Sequence, residues 1–328
     1  MKFRRADNSY IKSLYDFGRR MYPERKNYRQ IIDFWLSKGE KEIENIVIAV
    51  DDENNIRGQQ YFSSMNYYYE GEKKDSVWAF DLIVDEELRA GSQGFALMWK
   101  CKKIHPNSMS SGSNDISLPI NLKIGNTQIG ELRKYVGIRN PLCLFASLFR
   151  GEIAKEKYPN VVAVGKRSFL KVAKPDDLPD LKKPYNHQLL EIGREKDFLK
   201  WRFFSDLHDY VFYLDKKNND YFVVRSIVKK HVTALVLIDY RCDLANDNSC
   251  KNIIDGFTTV AKKLNLAVMI ADSSTKAMDE VCESRKMKSL GRPRPILGIL
   301  DCEEKMNSIQ NREFVLLTLA DSDGDITW

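Results

Sequence analysis

The chain has 328 residues, of which 43% are hydrophobic and 30% charged, a length and balance that predict a globular protein of up to two ordinary domains. No apolar run reaches the ~18 residues of a membrane span, and no signal-peptide core follows Met1, so we expect a cytoplasmic protein without membrane insertion. The net charge of +6 comes from interleaved acids and bases, which argues against nucleic-acid binding and suits a protein that handles small polyanions.

The hydrophobic periodicity and the turn residues predict two similar series of elements along the chain. In the first half, strands are predicted at 2–6, 46–51, 56–70, 76–84 and 116–123, and helices at 8–20, 27–37, 94–104 and 127–136. In the second half, strands are predicted at 168–173, 210–215, 220–228, 231–239 and 266–271, and helices at 195–204, 249–264 and 275–286. A last pair of strands near 295–300 and 313–320 is expected to close the second sheet.

Two short patterns recur at nearly the same offset along the chain. Residues 3–6 have the hydrophobic spacing of residues 170–173, and the hairpin segment 50–55 parallels the segment 214–219. Such an internal match indicates a duplicated unit, and units of ~150 residues have the usual size of a domain. We therefore predict one domain at 1–150 and a second at 151–328.

The cysteines and histidines predict neither a metal site nor a disulfide framework. The six cysteines form no Cys-x-x-Cys pair, which is typical of reduced thiols that fill a cytoplasmic protein's core. The four histidines are too widely spaced to suggest a His-built site, so no metal cofactor is expected. The cysteines are Cys101, Cys143, Cys242, Cys250, Cys282 and Cys302.

The segment from Phe80 to Met98 carries the clearest functional signal. An apolar strand ends at Val84, and a turn rich in glycine then opens a helix. Gly91 and Gly94 would let the backbone come close to a ligand, and the unpartnered N–H groups of the first helical turn favour an anion. We therefore predict a pyrophosphate cradle; the alternative is a plain turn between a strand and a helix. The Lys and Ser/Thr of a P-loop and the acidic ribose contact of a Rossmann fold are missing.

This segment resembles the acyl-CoA signature of the GNAT N-acetyltransferase superfamily, in which a strand ending in Val is followed by Arg/Gln-x-x-Gly-x-Gly/Ala. Counting back from residues 94–96 places Gly91 where the family has Arg or Gln, so this loop is longer than usual. The resemblance implies an α+β fold of two tandem GNAT-like domains, each a mixed, mostly antiparallel sheet flanked by helices. It also implies that the first domain binds acyl-CoA as a co-substrate.

The second domain is expected to have lost this site. After the strand ending at Asp239, no glycine precedes the next helix, and two carboxylates of the connecting segment would face a phosphate. The resemblance therefore implies a degenerate GNAT-like domain at 151–328 that contributes to the acceptor site.

The resemblance also assigns the residues that bind acyl-CoA. Backbone groups at the strand end are expected to meet the pantetheine arm, and the loop and first helical turn are expected to surround the pyrophosphate. Asn126 matches the Asn that contacts the CoA arm in the family, although it equally fits the N-cap of a helix starting at Thr127. The expected residues are Leu82, Ile83, Val84, Arg89, Ala90, Gly91, Ser92, Gln93, Gly94, Phe95 and Asn126.

One acidic residue is the candidate for catalysis. Asp81 lies between Phe80 and Leu82 in a half-buried strand, where burial would raise its pKa toward that of a useful general base. The alternative is an Asp that caps the strand end or faces water. The family often uses a Tyr on the helix after the next strand as the acid for the thiolate. Arg133 occupies that position here and Tyr135 lies roughly 200° further round a helix, so the sequence leaves open whether the protein has a dedicated general acid.

In the family, the loop between the first two helices binds the acceptor. Here it contains Tyr22, for a sugar or base face, and Glu24, for hydroxyl groups or an amine. Residues 197–204 resemble the Leu-x-Trp-Arg-Tyr segment of tandem GNAT proteins from surface-polysaccharide pathways. Arg202 in this segment is expected to bind the acceptor, because an Arg among apolar neighbours needs an anionic partner, and Arg241 is expected to join it. Residues 239–241, 292–294 and 321–325 could line the same cleft.

The sequence as a whole resembles an acyl-CoA-dependent N-acyltransferase, in particular the bacterial dTDP-amino-dideoxysugar N-acyltransferases. This implies direct transfer of an acetyl or hydroxybutanoyl group to the amine of a nucleotide-linked amino-deoxysugar, for O-antigen or another surface polysaccharide. No pattern of Ser or Cys with His suggests a covalent acyl-enzyme. The alternatives are a Fem-type aminoacyl transferase acting on peptidoglycan precursors and a non-catalytic GNAT-like sensor or scaffold. The resemblance fits a monomer or a homodimer.

Overall fold

The computed structural model describes residues 1–89, 91–139, 144–145, 147–181, 183–299 and 315–326. Within these ranges, no helix is both long enough and apolar enough to cross a membrane. The described cysteines are buried and free, and they are Cys101, Cys242, Cys250 and Cys282.

The first half contains six strands and five helices whose residues are all described. They are β1 (Lys2–Arg5), α1 (Ile11–Met21), α2 (Tyr28–Leu36), β2 (Val47–Val50), β3 (Ile56–Tyr69), β4 (Glu72–Val84), α3 (Glu86–Arg89), α4 (Gln93–Ile104), β5 (Ser108–Ser111), α5 (Ser117–Lys123) and β6 (Thr127–Ile138).

The second half has ten described strands and three helices. They are β7 (Val161–Val164), β8 (Arg167–Lys171), β9 (Leu190–Ile192), α6 (Lys196–Phe203), β10 (Val211–Leu214), β11 (Tyr221–Lys229), β12 (Val232–Arg241), α7 (Asp247–Lys263), β13 (Val268–Ser273), α8 (Lys276–Ser284), β14 (Lys288–Ser289), β15 (Arg294–Ile299) and β16 (Val315–Leu316).

The strands form a continuous path in the order β1-β2-β3-β4-β5-β15-β6-β13-β12-β11-β10-β8-β7. Along this path the neighbours are antiparallel except for β4 with β5 and β12 with β13, which are parallel. Helices cover both sides of the first-half sheet: Ala49 of β2 packs with Leu97 of α4, whereas Ile48 and Val50 belong to the core formed with α1 and α2. The predicted α+β class, with mixed, mostly antiparallel sheets flanked by helices, is confirmed.

The two halves of the sheet exchange strands, and the prediction that the last strand pair closes the second sheet is wrong. β15 lies in the first-half sheet between β5 and β6. β6 is long enough to serve two partners, because residues 127–132 pair with β15 and residues 133–138 pair with β13. β16 is only two residues long and pairs with β9 outside the main path. The division into 1–150 and 151–328 stays a prediction, and each part is completed by a strand from the other.

Two neighbouring elements were predicted in the wrong state. Residues 116–123, predicted as a strand, form α5, because the Asn114 side chain accepts hydrogen bonds from the N–H groups of Ile116 and Ser117 and so starts a helix. Residues 127–136, predicted as a helix, belong to β6. The short strands β5 and β7 were not predicted.

The repeated hairpins have the same local structure in both halves. Asp51 precedes the turn between β2 and β3, and its carboxylate accepts a hydrogen bond from the N–H of Glu53 at 3.0 Å. Asp215 precedes the turn between β10 and β11 and accepts from the N–H of Lys217, also at 3.0 Å. Each turn places one Asn in the left-handed region, with φ of 64° and 60° for Asn54 and Asn219.

Candidate active site

The site lies where β4 and β5 separate. Among the described residues, these parallel strands pair only through residues 77–78 and 108–109. The other edge of β5 pairs with β15, and the end of β4 has no β5 partner. The opening between them, here called the β4–β5 cleft, holds a cavity of about 390 Å³. A narrow extension of about 30 Å³ shares four lining residues with it and runs under α4. The described residues that line the main cavity include Tyr22, Arg25, Asp81, Leu82, Ser110, Ser111, Ser113, Asn114, Arg294 and Asp323.

A β-bulge at Asp81, in the pairing of β4 with β3, lies in the part of β4 that has separated from β5. Tyr61 of β3 pairs with Phe80, but Gln59 pairs with Ile83, so β4 has one extra residue at this point. Asp81 itself has φ of 50°, a left-handed conformation that is uncommon for a residue other than glycine. The bulge interrupts the regular alternation of the strand, so that the Asp81 side chain lies in the cavity rather than in solvent.

Two side chains bind the Asp81 carboxylate, one from the loop between α1 and α2 and one from α2. Arg25 Nη1 donates to Asp81 Oδ1 at 3.0 Å, and the Tyr28 hydroxyl donates to Oδ2 at 2.9 Å. Gln59 Nε2 in turn donates to the Tyr28 hydroxyl at 2.8 Å. Gly18 makes this arrangement fit, because a Cβ at that position would come within 2.0 Å of the Tyr28 ring.

Burial dominates the electrostatics of the cavity. The Asp81 side chain is 5% exposed, and this burial raises its pKa, although Arg25 and the hydrogen bond from Tyr28 act in the opposite direction. A second carboxyl group, that of Asp323, lies in the same cavity. Burial, together with the charge of Asp81, raises the pKa of Asp323 to about 6.

Of the two residues predicted to bind the acceptor from the loop between α1 and α2, Tyr22 lines the cavity. The Tyr22 ring lines the cavity and lies under the Arg25 guanidinium, at 3.8 Å from its Cζ. Burial and the charge of Asp81 raise the pKa of Tyr22, so it stays a neutral phenol. Glu24 is exposed and is not among the described residues that line the cavity.

The predicted pyrophosphate cradle forms the first turn of α4. The helix's first internal hydrogen bond runs from the N–H of Ala96 to the carbonyl of Ser92, which leaves the preceding N–H groups outside its ladder. Within the described chain, the Ser92 side chain makes no capping hydrogen bond. In the second half, by contrast, the Asn246 side chain caps α7 by accepting from the N–H of Asn248. Among the described residues, the start of α4 thus lacks the side-chain cap that the start of α7 has.

The fold itself does not require glycine in the cradle. A Cβ at Gly94 would meet its nearest neighbour, Val84 Cγ2, at an ordinary 3.7 Å, and one at Gly91 would meet the Leu88 carbonyl oxygen at 3.7 Å. Neither glycine has a positive φ. The space above these residues is therefore available to a ligand. Gln93 and Phe95 lie in the same turn, with the Phe95 ring 39% exposed, whereas Ala90 lies outside the described residues.

The remaining residues predicted to bind acyl-CoA lie at different places around the cleft. Leu82 lines the main cavity, Ile83 is buried, and the carbonyl of Val84 accepts a hydrogen bond from Arg89 Nε at 3.2 Å. Asn126 lines the narrow extension, and its Nδ2 donates to the carbonyl of Asn121 at 3.1 Å. Because Thr127 starts a strand rather than a helix, the N-cap interpretation of Asn126 is wrong.

The helix expected to carry the general acid is strand β6. Arg133 is half-buried and lies 3.8 Å from Glu131. Tyr135 is buried in the core of the second half, where its hydroxyl donates to Glu283 Oε1 at 3.1 Å. Neither side chain is among the described residues that line the cleft.

Arg202 and Arg241 do have anionic partners, but the chain itself supplies them. Arg202 is fully buried and pairs with Asp325 at 2.5 Å. Arg241 is also fully buried and pairs with Asp239 and Glu191, each at 3.0 Å. Among the described residues that line the cavity, neither arginine is present, so in this structure both guanidinium groups are parts of the core.

Neither a family model nor a curated protein matches the sequence. Solved structures do match the fold. A GCN5-related N-acetyltransferase from Anabaena variabilis aligns over 92% of this chain and 73% of its own, with 14% identity and a TM-score of 0.61. The N-myristoyltransferase of Saccharomyces cerevisiae with bound myristoyl-CoA aligns over 91% and 82%, with 13% identity and a TM-score of 0.59.

The chain has a GNAT-like fold. A conserved protein of unknown function from Enterococcus faecalis also aligns, over 90% of this chain and 71% of its own, with 11% identity and a TM-score of 0.60. At these identities the likeness concerns the path of the backbone. The GNAT-like resemblance of the sequence is thus supported at the level of the fold.

Sequence reasoning missed several cleft residues that the GNAT-like fold brings together. Arg25 and Tyr28 contact Asp81 directly, and both are close in sequence to Tyr22, so the right loop was identified but not the right side chains. Ser110 and Ser111 line the cavity from β5. Their serine-rich strand shows little hydrophobic periodicity, and no signal marked it.

Proposed function

We propose that the protein is an acyl-CoA-dependent N-acyltransferase. The observation that supports the proposal is the β4–β5 cleft, which holds the Asp81 carboxylate and whose narrow extension runs under α4, the helix with the glycine-rich first turn. An acyl-CoA has a diphosphate that suits the helix terminus and an arm that suits an open strand edge. The GNAT-like fold adds weight, since its solved neighbours include proteins named as N-acyltransferases.

In this proposal the predicted residues keep their donor-side roles. The N–H groups from Gln93 to Phe95 hold the diphosphate, and Gly91 and Gly94 allow its approach. The open edge of β4 from Leu82 to Val84 faces the pantetheine arm, and Asn126 borders the narrow extension. Removal of water from such a cleft would strengthen a backbone hydrogen bond to the thioester oxygen.

The acceptor is proposed to be a small amine that carries several hydroxyl groups, and specifically an amino-deoxysugar linked to a nucleotide. The cavity offers hydroxyl and amide side chains as hydrogen-bond partners, Tyr22 offers an aromatic face, and Asp81 offers a partner for the amine. The hydroxyl and amide groups come from Ser110, Ser111, Ser113, Asn114, Ser117, Asn121 and Ser322.

The proposed reaction is a direct transfer within a ternary complex. The lone pair of the amine forms a C–N bond with the thioester carbonyl carbon, the C–S bond breaks, and its electron pair leaves with the thiolate of CoA. The acceptor ammonium loses one proton to Asp81 or to water before the attack. The amine loses a second proton as the amide forms, and the thiolate of CoA takes it. Asp81 lies where it can contact the acceptor, and we place it in the reaction site.

Titration calorimetry with CoA and acetyl-CoA tests the donor, and thiol release against a panel of nucleotide-linked amino sugars tests the acceptor. Binding of CoA followed by thiol release with one sugar amine supports the proposal. CoA binding without thiol release from any amine contradicts the acceptor. The absence of CoA binding contradicts the enzyme itself and favours either an aminoacyl-tRNA-dependent or a non-catalytic protein.

Replacing Asp81 with Asn is expected to reduce turnover by about 100-fold, in the range of catalytic acid–base groups, and to leave CoA affinity unchanged. Asn has the same shape but cannot pair with Arg25 or with a substrate ammonium. Steady-state thiol release and calorimetry measure the two quantities. Asp75→Asn, at the exposed beginning of the same strand, is the matched control and should behave as the wild type. A normal turnover of Asp81→Asn would remove this residue from the reaction.

A further inference from the structure

A second and larger cavity, of about 770 Å³, lies at the beginning of β4. Its walls come from the chain just after α2, from the strands β3, β4 and β9, and from the helix α6, and we call it the Lys38 pocket. None of the described residues that line it also lines the β4–β5 cleft or the narrow extension of that cleft. The pocket is therefore separate from the proposed acyl-transfer site. Its aliphatic lining residues are Met65, Val77, Ile104, Pro106 and Ile192.

The half-buried Lys38 lines this pocket and contacts only neutral groups among the described residues. Its Nζ donates to Ser63 Oγ at 3.1 Å and to the carbonyl of Ser64. Two aromatic rings of α6 lie close to the same nitrogen, with the centroids of Trp201 and Phe198 at 4.7 and 5.8 Å. No carboxylate of the described chain forms an ion pair with this ammonium group. Burial without such a partner favours the neutral amine over the ammonium form.

Two arginines of the second half lie near Lys38, with aromatic rings beside them. Arg194 Cζ is 4.5 Å from the centroid of Phe198, the ring that Lys38 also approaches. Arg202 Cζ is 5.8 Å from the centroid of Phe34, whose ring stacks on the indole that Lys38 contacts. A lysine that is desolvated and has cationic neighbours has the environment of a nucleophilic lysine, because both effects disfavour its charged form.

Burial lowers the pKa of Lys38 to about 8, and the charges of Arg194 and Arg202 act in the same direction. Glu42 and Asp321 raise this pKa but do not offset the burial. Near neutral pH, a much larger fraction of Lys38 is therefore a neutral amine than for a lysine with the ordinary pKa of about 10.4. The charged and titratable groups that surround Lys38 are Glu42, Lys73, Asp75, His105, Arg194, Glu195, Asp197, Arg202 and Asp321.

The charges that line the pocket favour an uncharged ligand. With Lys38 counted as an ammonium, the lining residues carry two positive and four negative charges. Burial lowers the pKa of His105 to about 4, so this side chain adds no charge. The surplus of two negative charges disfavours an anionic ligand. An uncharged ligand meets no such repulsion and can pack on the apolar and aromatic side chains of the walls.

We propose that Lys38 is a nucleophilic lysine that forms an imine with a small, uncharged aldehyde or ketone in the Lys38 pocket. This inference does not depend on the proposed N-acyltransferase function. The lone pair of the neutral amine forms a C–N bond with the carbonyl carbon, and the carbonyl oxygen takes up a proton, which gives a carbinolamine. The nitrogen lone pair then forms the C=N bond while the C–O bond breaks. Both amine protons leave in the water molecule, so atoms and charges balance without an oxidant or reductant.

Reductive trapping with propanal and sodium cyanoborohydride tests the proposal on the full chain. Peptide mapping by mass spectrometry gives the rate of alkylation of Lys38 and of Lys41, an exposed lysine nearby that serves as an internal control. At pH 7 the ratio of the two rates should be about 10-fold or more, because Lys38 has the larger neutral fraction. This ratio should stay constant up to about pH 8 and fall at higher pH, since Lys38 is then already neutral while Lys41 continues to lose its proton.

A second aldehyde and one variant complete the experiment. Glyoxylate, which carries a carboxylate, should alkylate Lys38 with less preference over Lys41 than propanal does. Lys38→Arg keeps the positive charge and should lose the fast phase of alkylation, and circular dichroism should show that it is folded. Equal rates at Lys38 and Lys41 in the wild type would overturn the inference, and so would a ratio that does not change with pH. A preference of Lys38 for glyoxylate over propanal would overturn the uncharged ligand.

Discussion

Replacing Gly94 with Val is expected to reduce CoA affinity by more than about 100-fold, because a branched side chain would occupy the space where the diphosphate must approach the bare N–H groups of α4. The protein itself should fold normally. A Cβ at this position makes only an ordinary 3.7 Å contact with Val84, and Val is a better helix former than Gly. Titration calorimetry of the two proteins measures the difference.

A control variant separates this effect from a general cost of the substitution. Gly39 also has room for a side chain, since the nearest atom to a Cβ there, Glu42 Cγ, is 4.0 Å away, but it lies far from the cradle in sequence and is exposed. Gly39→Val should bind CoA as the wild type does. Equal affinity of Gly94→Val and the wild type would show that the diphosphate does not bind at this helix terminus. Gly94→Ala should give an intermediate loss.

Replacing Asp239 with Ala is expected to lower the free energy of unfolding by about 3–5 kcal/mol, the usual effect of breaking a buried ion pair. Asp239 is fully buried and pairs with both Arg194 and Arg241. Its oxygens also accept hydrogen bonds from Tyr221 and Thr318, at 2.8 and 2.7 Å. Although burial raises the pKa of Asp239, the two guanidinium groups lower it to about 2. Without this carboxylate, the buried guanidinium groups of Arg194 and Arg241 would each lose an ion-pair partner.

Denaturant unfolding measures the free energy of unfolding of Asp239→Ala, and Asp255→Ala is the control. Asp255 also pairs with an arginine, since both its oxygens lie 2.7 Å from Arg285 nitrogens, but the two side chains are 34% and 40% exposed. Exposed pairs contribute about 0–1 kcal/mol, because water already solvates both charges. A loss below about 1 kcal/mol for Asp239→Ala would mean that the arginines find other partners or that water enters the core.

The parts of the fold that could be predicted are those with strong local signals. The Asp-initiated hairpin turns at Asp51 and Asp215 and the glycine-rich start of α4 depend on residues close in sequence, and they appear where they were expected. Asp81 could be singled out because a carboxylate within an apolar strand is unusual. The bulge at Asp81 could not be predicted from the sequence, because a bulge depends on the register in which β3 pairs with β4.

The errors around β6 have a definite physical cause. Its buried residues Ile129, Leu132 and Tyr135 are spaced by three, which imitates one face of a helix. The spacing arises because β6 bulges near Ile129, where its pairing with β15 skips one residue, and then leaves β15 for β13. A strand with different partners along its length does not follow a simple alternation.

The candidate site shows a similar limit. Arg202 was predicted to need an anionic partner, but sequence spacing could not show that Asp325 would supply it. It also could not show that Arg241 would pair with Asp239 and Glu191. The pairs with Asp325 and Glu191 join segments that are far apart in the chain. Arg294 and Asp323, which belong to the segments 292–294 and 321–325 that were expected near the acceptor, do line the cavity.

The exchange of β6 and β15 has a consequence for biosynthesis. When the first 138 residues have left the ribosome, their sheet still lacks the strand that belongs between β5 and β6, and that strand is encoded at 294–299. The edges of β5 and β6 that pair with this strand therefore stay unpaired until most of the polypeptide has been translated. The first-half sheet of a nascent chain should accordingly be complete only after residues 294–299 have been added.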